Sequence, residues 1–247
     1  MQAVVLAGGL ATRMRPATLT IPKSMLEVAG RPFVDWQLER LAACGVRDVV
    51  LCVAHLGGLI RAHVGDGARL GVKVVYSEEG PELLGTAGAL RAALDLLEPK
   101  FLVTYGDSYL PFDYAEPLRI LDAHDDCDGV MSVYANFGAW DASNVATDGA
   151  WVLRYEKGVG ARTPGRGAGA NETVDPALDH IDYGATALRR GVVELLPAAE
   201  ARGLDVVLRG VAERKRLRAY VARERFFEIG SPEGLADLDK HLRSRAS

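Results

Sequence analysis

Apolar and polar positions follow two periods along this chain, and each switch between them marks an element. Ala3 to Ala7 is apolar without a break, the pattern of a strand buried on both faces of a parallel sheet. Pro32 then opens a helical pattern in which Val34, Leu38 and Leu41 recur at four and three, with Gly45 placed as its C-cap. Val46–Val53 reads as a second buried strand, Leu56–Val64 as a short helix, and Val72–Tyr76 as a third strand. Ala87, Leu90, Leu94 and Leu97 repeat at three, four and three, so a further helix starts near Thr86 and runs to Leu97. Phe101–Tyr105 is a fourth apolar run. Strands and helices alternating at this spacing predict a parallel sheet with helices on both faces.

The second half is less regular. Leu118–His124 has a helical pattern and Gly129–Tyr134 that of a strand. Ser143-Asn144-Val145-Ala-Thr147, Asp148-Gly149 and Trp151–Tyr155 form a hairpin pattern around an Asp-Gly turn. Residues 158–178 are rich in Gly, Ala, Pro, Thr and Asn with no periodicity, and read equally as a linker or as a lid. Ile181–Leu188 and Leu217–Val221 return to strands. Ser231 is placed to cap a last helix, with Pro232 in its first turn and Leu235, Leu238 and Leu242 as its buried stripe.

Composition narrows the class. With 247 residues, 49% hydrophobic and 25% charged, the chain suffices for one globular domain with an ample core. A net charge of −4 gives no ground for nucleic acid or an anionic membrane as partner, so an anionic ligand must be met by local cations. The three cysteines, Cys44, Cys52 and Cys127, lie among apolar residues without metal-like spacing and read as reduced core side chains. No apolar run reaches the roughly 20 residues of a spanning helix, and no cationic stretch precedes the short N-terminal run, so the cytoplasm is the expected location. The five histidines lack ligand spacing, and neither a Ser-His-Asp arrangement nor a Gly-x-Ser-x-Gly elbow appears.

Candidate chemistry gathers where the strands end. Gly8-Gly9 follow the first strand directly and let another molecule approach the main-chain N–H groups. Arg13, Arg15 and Lys23 lie just beyond. Together they suggest a polyphosphate site; read alone, they also fit a tight turn with surface charges. Asp107 follows the fourth run, at the strand end where open α/β sheets place ligands, though an isolated Gly-Asp also starts turns.

Leu6-Ala-Gly-Gly-Leu-Ala-Thr-Arg13-Met-Arg-Pro16, with Pro22-Lys23 after it, resembles the signature of the sugar-1-phosphate nucleotidyltransferases. Two positions depart from the usual form: Ala11 replaces a third glycine and Ser24 a second proline. Alanine disfavours positive φ, which bears on how freely the loop moves. The resemblance extends over nearly the whole chain and implies a mixed, mostly parallel Rossmann-like sheet with a small sugar-binding β-hairpin. Residues 1–110 would serve mainly the nucleotide, 111–230 mainly the sugar phosphate, and 231–247 would be a C-terminal helix. The nucleotide set it implies is Leu6, Ala7, Gly8, Gly9, Arg13, Lys23, Glu79, Gly85, Thr86 and Asp107, with Leu84-Gly85-Thr86-Ala87-Gly88 against the base. It implies Asn144, Glu156, Lys157, Tyr183 and Gly184 at the sugar phosphate, the strand of Tyr183 contributing its backbone. Asp107 and Glu228 would hold magnesium. Glu228 stands where the family has Asp and is one methylene longer, so it either shifts the ion or stands behind the ligands. Gly158 replaces a frequent proline.

The implied reaction is in-line displacement at the α-phosphorus of a nucleoside triphosphate by a sugar 1-phosphate. Arg13, Lys23, Asp107 and Lys157 would be the catalytic set and pyrophosphate the leaving product. The length and the spacing around Gly85 resemble guanylyltransferases for heptose or mannose 1-phosphate, which favours GTP over UTP. Uridylyltransferases for amino-sugar 1-phosphates look similar. A monomer or homodimer is expected. Two other classes fit less well: a glycosyltransferase, whose Asp-x-Asp is absent at Asp107-Ser108-Tyr109, and a sensing module that binds nucleotide sugars without catalysis.

Overall fold

A computed structural model describes residues 1–9, 11–80, 83–137, 139–156, 178–198 and 201–246. The chain begins with β1 (Gln2–Leu6), three single turns of 3₁₀ helix, and a short hairpin of β2 (Glu27–Val28) and β3 (Arg31–Pro32). α1 (Phe33–Ala43), β4 (Asp48–Val53), α2 (Gly57–Val64), β5 (Lys73–Glu78) and α3 (Gly85–Ala92) follow. β6 (Lys100–Tyr105), β7 (Ser108–Tyr109), α4 (Ala115–Ala123) and β8 (Gly129–Ala135) lead to the hairpin of β9 (Val145–Thr147) and β10 (Val152–Tyr155). β11 (His180–Arg189), α5 (Gly191–Glu194), α6 (Leu204–Glu213), β12 (Leu217–Ala222), β13 (Phe227–Glu228) and α7 (Pro232–Ala246) complete it.

The main sheet runs in the order β10-β9-β11-β6-β1-β4-β5, with β8 bonded to β11 and β12 to β8. β6, β1, β4 and β5 are parallel; β11 is antiparallel to β6 and to β8. The mixed, mostly parallel sheet expected from the alternating pattern is therefore present. Strand periodicity divides each central strand between two cores. Ala3 and Val5 face one side with Leu38, Leu41 and Ile60, so α1 and α2 cover that face. Val4 and Leu6 face the other with Leu90, Leu208 and Val211, which belong to α3 and α6. Burial on both faces is why these strands carry continuous apolar runs.

Two elements depart from the sequence reading. The helix from Thr86 to Leu97 is broken: α3 stops at Ala92 and Leu94–Leu96 is a 3₁₀ turn. Beyond the break the Gln2 side chain holds the chain. Its Nε2 donates to the Leu96 carbonyl (2.8 Å) and its Oε1 accepts the Glu98 N–H (2.8 Å), which pins the chain as it turns into β6. Leu97 is still buried, so the stripe was read correctly and only its geometry changed. α6 was absent from the reading, although Leu204, Leu208 and Val211 show its buried face. Of the stretch 158–178, only Leu178 lies within the described residues, and it is buried.

α7 packs outside the main sheet on Val28, Phe33, Tyr109 and Phe227 through Leu238 and Leu242. Its start is capped as expected: the Gly234 N–H donates to Ser231 Oγ at 3.1 Å. Asp239 Oδ1 accepts the Ala29 N–H at 2.7 Å and ties the helix to the β2–β3 turn. Ser231→Ala is expected to cost about 1 kcal/mol of stability, the usual value of a lost N-cap, read as a lower midpoint in urea unfolding.

Candidate active site

The site forms where the connections out of the sheet diverge. β1 lies between β6 and β4, and the helices that follow β1 and β5 cover opposite faces. A crevice opens at such a switch point, beyond the carboxyl ends of the strands. Its floor is a close backbone approach: the Gly106 N–H donates to the Leu6 carbonyl at 2.9 Å. A Cβ at Gly106 would lie 2.9 Å from Ala7 Cα, so only glycine allows β1 and β6 to meet this closely.

Above that floor a cavity of about 320 Å³ is lined by Leu6, Ala7, Gly8, Gly9, Lys23, Glu79, Gly85, Thr86 and Asp107. These are nine of the ten residues expected to meet the nucleotide. Gly8 is packed closely: a Cβ there would stand 2.7 Å from Glu79 Oε1 and 3.1 Å from Ala54 Cβ. Gly9 faces open space. Glu79 Oε2 accepts the Leu84 N–H at 2.9 Å, so this carboxylate fixes the loop that closes the cavity. Gly85 has φ +69°, and a Cβ there would strike the Arg202 carbonyl at 2.7 Å. The Ala87 N–H donates to that same carbonyl, and Thr86 Oγ1 accepts the Leu204 N–H at 2.7 Å. The loop is thereby strapped to the start of α6.

Arg13, the tenth residue, is exposed and lies outside the cavity lining, yet close to it. Arg13 Nη2 and Lys23 Nζ stand 3.6 and 3.9 Å from the point where a Cβ at Gly230 would lie. Lys23 Nζ is 2.8 Å from Asp107 Oδ2. Asp107 is tied in turn to β13: the Ile229 N–H donates to its carbonyl at 3.0 Å, and Glu228 pairs with Ser108. Lys23 and Asp107 thus meet at the cavity from two separate segments, with Arg13 just beyond the lining and the Glu228 main chain paired beside Asp107. Ala11 adopts φ 48°, ψ 42°, the left-handed conformation that glycine would take without strain. Its carbonyl is held by Thr18 Oγ1 at 2.9 Å and by the Met14 N–H at 3.0 Å, which stabilises the turn despite the alanine.

The hairpin side is organised by Asp182. Its N–H donates to Asn144 Oδ1 (2.8 Å), its Oδ1 accepts the Gly184 N–H (2.9 Å), and its Oδ2 accepts the Tyr155 hydroxyl (2.8 Å). The Glu156 N–H donates to the Asn144 carbonyl at 2.9 Å. Asn144, Glu156 and Gly184 are therefore neighbours. Gly184 sits at φ +90° in a β-bulge of β11, the irregularity that re-aims residues beside a site. The contact expected of Tyr183 is through the backbone of its strand. The side chain is 1% exposed and packs on Phe112, Tyr134 and Phe226, so only its main chain is left to face a ligand. Strand alternation beside Gly184 sends it inward. Lys157 lies outside the described residues.

Sequence reasoning missed several lining residues: Ser24, Cys52, Leu83, Ala89, Tyr105 and Gly106. Tyr105 was legible as the last residue of the strand before Asp107; Leu83 carried no signal. The Tyr105 hydroxyl is pushed well up, first by burial and then by the charges of Asp182, Asp205, Asp107 and Glu228. One phenol thus senses carboxylates from both the nucleotide and the hairpin sides. Burial, with the Glu79 charge behind it, also raises the Cys52 thiol to about 12.

The arrangement suits a polyanion near Arg13 and Lys23 and a flat, largely apolar group between Leu83 and Ala89. The family described as "Nucleotidyl transferase" matches residues 2–136. The chain is 44% identical over 115 residues to the N-acetylmuramate alpha-1-phosphate uridylyltransferase of Neisseria meningitidis, covering 46% of this chain and 50% of that protein. It is 31% identical over 249 residues to the mannose-1-phosphate guanylyltransferase of Mycobacterium tuberculosis, covering 96% of this chain and 64% of that protein. The alignments thus span about half to two thirds of those relatives' own lengths. Among solved structures, HddC from Yersinia pseudotuberculosis complexed with GMP-PN is similar over 98% of this chain and 99% of that one, at 25% identity and TM-score 0.75.

The raised thiol gives a direct check on this pocket. With a folded pKa of about 12, Cys52 is expected to resist iodoacetamide at pH 8 and to react only once the protein is unfolded, as read by mass spectrometry. Because the thiol is raised on folding, it contributes stability below the unfolded thiol range. That contribution is lost as pH rises toward 12.

Proposed function

This chain belongs to the nucleotidyl transferase family, and we propose that it transfers a nucleotidyl group from a nucleoside triphosphate to a sugar 1-phosphate, releasing pyrophosphate. The observation that carries this reading is the cavity at the strand ends, lined by Gly8, Gly9, Lys23, Glu79, Gly85, Thr86 and Asp107. Residues 1–110 serve mainly the nucleotide and the hairpin half mainly the sugar phosphate. GTP is favoured over UTP, a reading supported by the guanylyltransferase among the relatives and by the GMP-PN complex of HddC. The cytoplasm, where nucleoside triphosphates are supplied, is the proposed location.

The chemistry follows from charge. An oxygen of the sugar phosphate is already anionic at neutral pH and needs no general base. The barrier lies in bringing two anions together and in stabilising charge on the phosphorus oxygens, which positioned cations and N–H groups accomplish. Arg13 takes the leaving β and γ phosphates and Lys23 the α-phosphate. Lys157 takes the incoming phosphate, and Asn144, Glu156 and the main chain at Tyr183 and Gly184 hold the sugar. Glu79 keeps the loop of Leu84 closed over the base.

Magnesium fits the donors present. Asp107 and Glu228 supply hard oxygens from adjoining segments, and no cluster of three or more acidic, His or Cys ligands occurs among the described residues. Two carboxylates with the remaining positions left to phosphate and water are a magnesium donor set. The ion, when bound, neutralises phosphate oxygens and orients them for in-line attack.

A panel of four nucleoside triphosphates against hexose, heptose and amino-sugar 1-phosphates, read by pyrophosphate release, tests the proposal. Turnover greatest with GTP is the expected result; no pyrophosphate from any pair overturns it. Asp107→Ala is expected to lose turnover by about 10²-fold or more while keeping its circular dichroism spectrum. Full activity in that variant removes the metal role of Asp107.

A further inference from the structure

Lys23 faces two partners that exclude one another. Its ammonium is 2.8 Å from Asp107 Oδ2, where a metal ion would coordinate, and the pair is largely shielded, with side-chain exposures of 16% and 29%. Lys23 is also held in place: it starts a 3₁₀ turn behind Pro22, and the Leu26 N–H closes on its carbonyl. Arg13 Nη2 adds a second positive charge on the same side of Gly230. Against these cations stands Asp107, with the Glu228 main chain paired beside it at Ser108 and no cluster of three ligating residues among the described ones. Without substrate the Lys23–Asp107 pair is neutral. A divalent ion entering alone would add positive charge beside two resident cations and would have to displace Lys23 from its carboxylate. A triphosphate reverses that balance, because its oxygens give Lys23 a second anion and give the ion most of its ligands.

We infer that Lys23 is a lock on the metal site: its ammonium closes Asp107 to divalent ions until a triphosphate draws it away, so that ion and triphosphate enter together. This rests on the nucleotidyltransferase reading of the same site. Lys23 thus has a positioning role before any chemistry, apart from its contact with the α-phosphate.

Binding of Mn²⁺, followed by the electron paramagnetic resonance signal of the free ion, tests it without turnover. Wild-type protein, Lys23→Met and Lys23→Gln are titrated alone and with a non-hydrolysable GTP analogue, each analogue titration being read against the analogue without protein because it chelates Mn²⁺ itself, and their folding is checked by circular dichroism. The wild type is expected to bind Mn²⁺ appreciably only with the analogue. Either variant should bind Mn²⁺ alone about tenfold or more tighter than the wild type, since one positive charge has left the ligand. Adding Asp107→Asn should abolish that gain. Variants that bind Mn²⁺ alone no tighter than the wild type overturn the lock, as does a wild type that binds it equally well with and without the analogue. Failure of the wild type to bind Mn²⁺ even with the analogue overturns the lock together with the metal reading, and pyrophosphate release then decides whether the transfer reading survives.

Discussion

The site depends on how closely two parallel strands approach at their ends. β1 and β6 stay hydrogen-bonded to the last residue of each, and the bond from Gly106 to Leu6 carries the pairing one step further. A side chain at residue 106 would push Asp107 away from the glycine turn after β1. The two glycines and the carboxylate are therefore set by sheet geometry rather than by loop contacts. A sheet buried on both faces is among the stiffest parts of a fold, so the floor of the cavity is rigid while its rim is made of loops.

Charge around that floor is balanced rather than accumulated. Lys23 is met by Asp107, which keeps the empty protein from storing that charge unpaired in a shielded place. The net charge of −4 makes the same point for the whole chain, since phosphate is attracted by Arg13 and Lys23 and not by an overall field. Carboxylates on the hairpin side, Asp182 above all, spend their hydrogen-bonding capacity on Tyr155 and Gly184 and so act as struts.

Much of this was legible in the sequence because its causes are local. Unbroken apolar runs mark strands buried twice over, and β1 and β4 are read from that alone to within two residues. The Ser231 cap and the Asp148-Gly149 turn were equally legible, since each is fixed by its own residues. What escaped was set by distant contacts. Gln2 pins the chain between α3 and β6 from the far edge of the sequence, and α6 forms a wall of the second core against strands read separately. That the Tyr183 side chain turns into the core was not legible either, because the register of β11, not the local motif, decides which residues face inward. Ala11 shows the opposite limit: alanine disfavours the left-handed turn, yet Thr18, seven residues on, holds it there.

The strap between Thr86 and Leu204 has a consequence for how such a chain can vary. The same α6 that Thr86 caps reaches the hairpin, where Arg209 Nε donates to the Tyr155 carbonyl at 3.2 Å. One helix therefore braces the rims of both halves of the crevice. A graft that exchanges the hairpin for a relative's, in search of a different acceptor, must carry α6 with it, or the donor end loses its buttress as well.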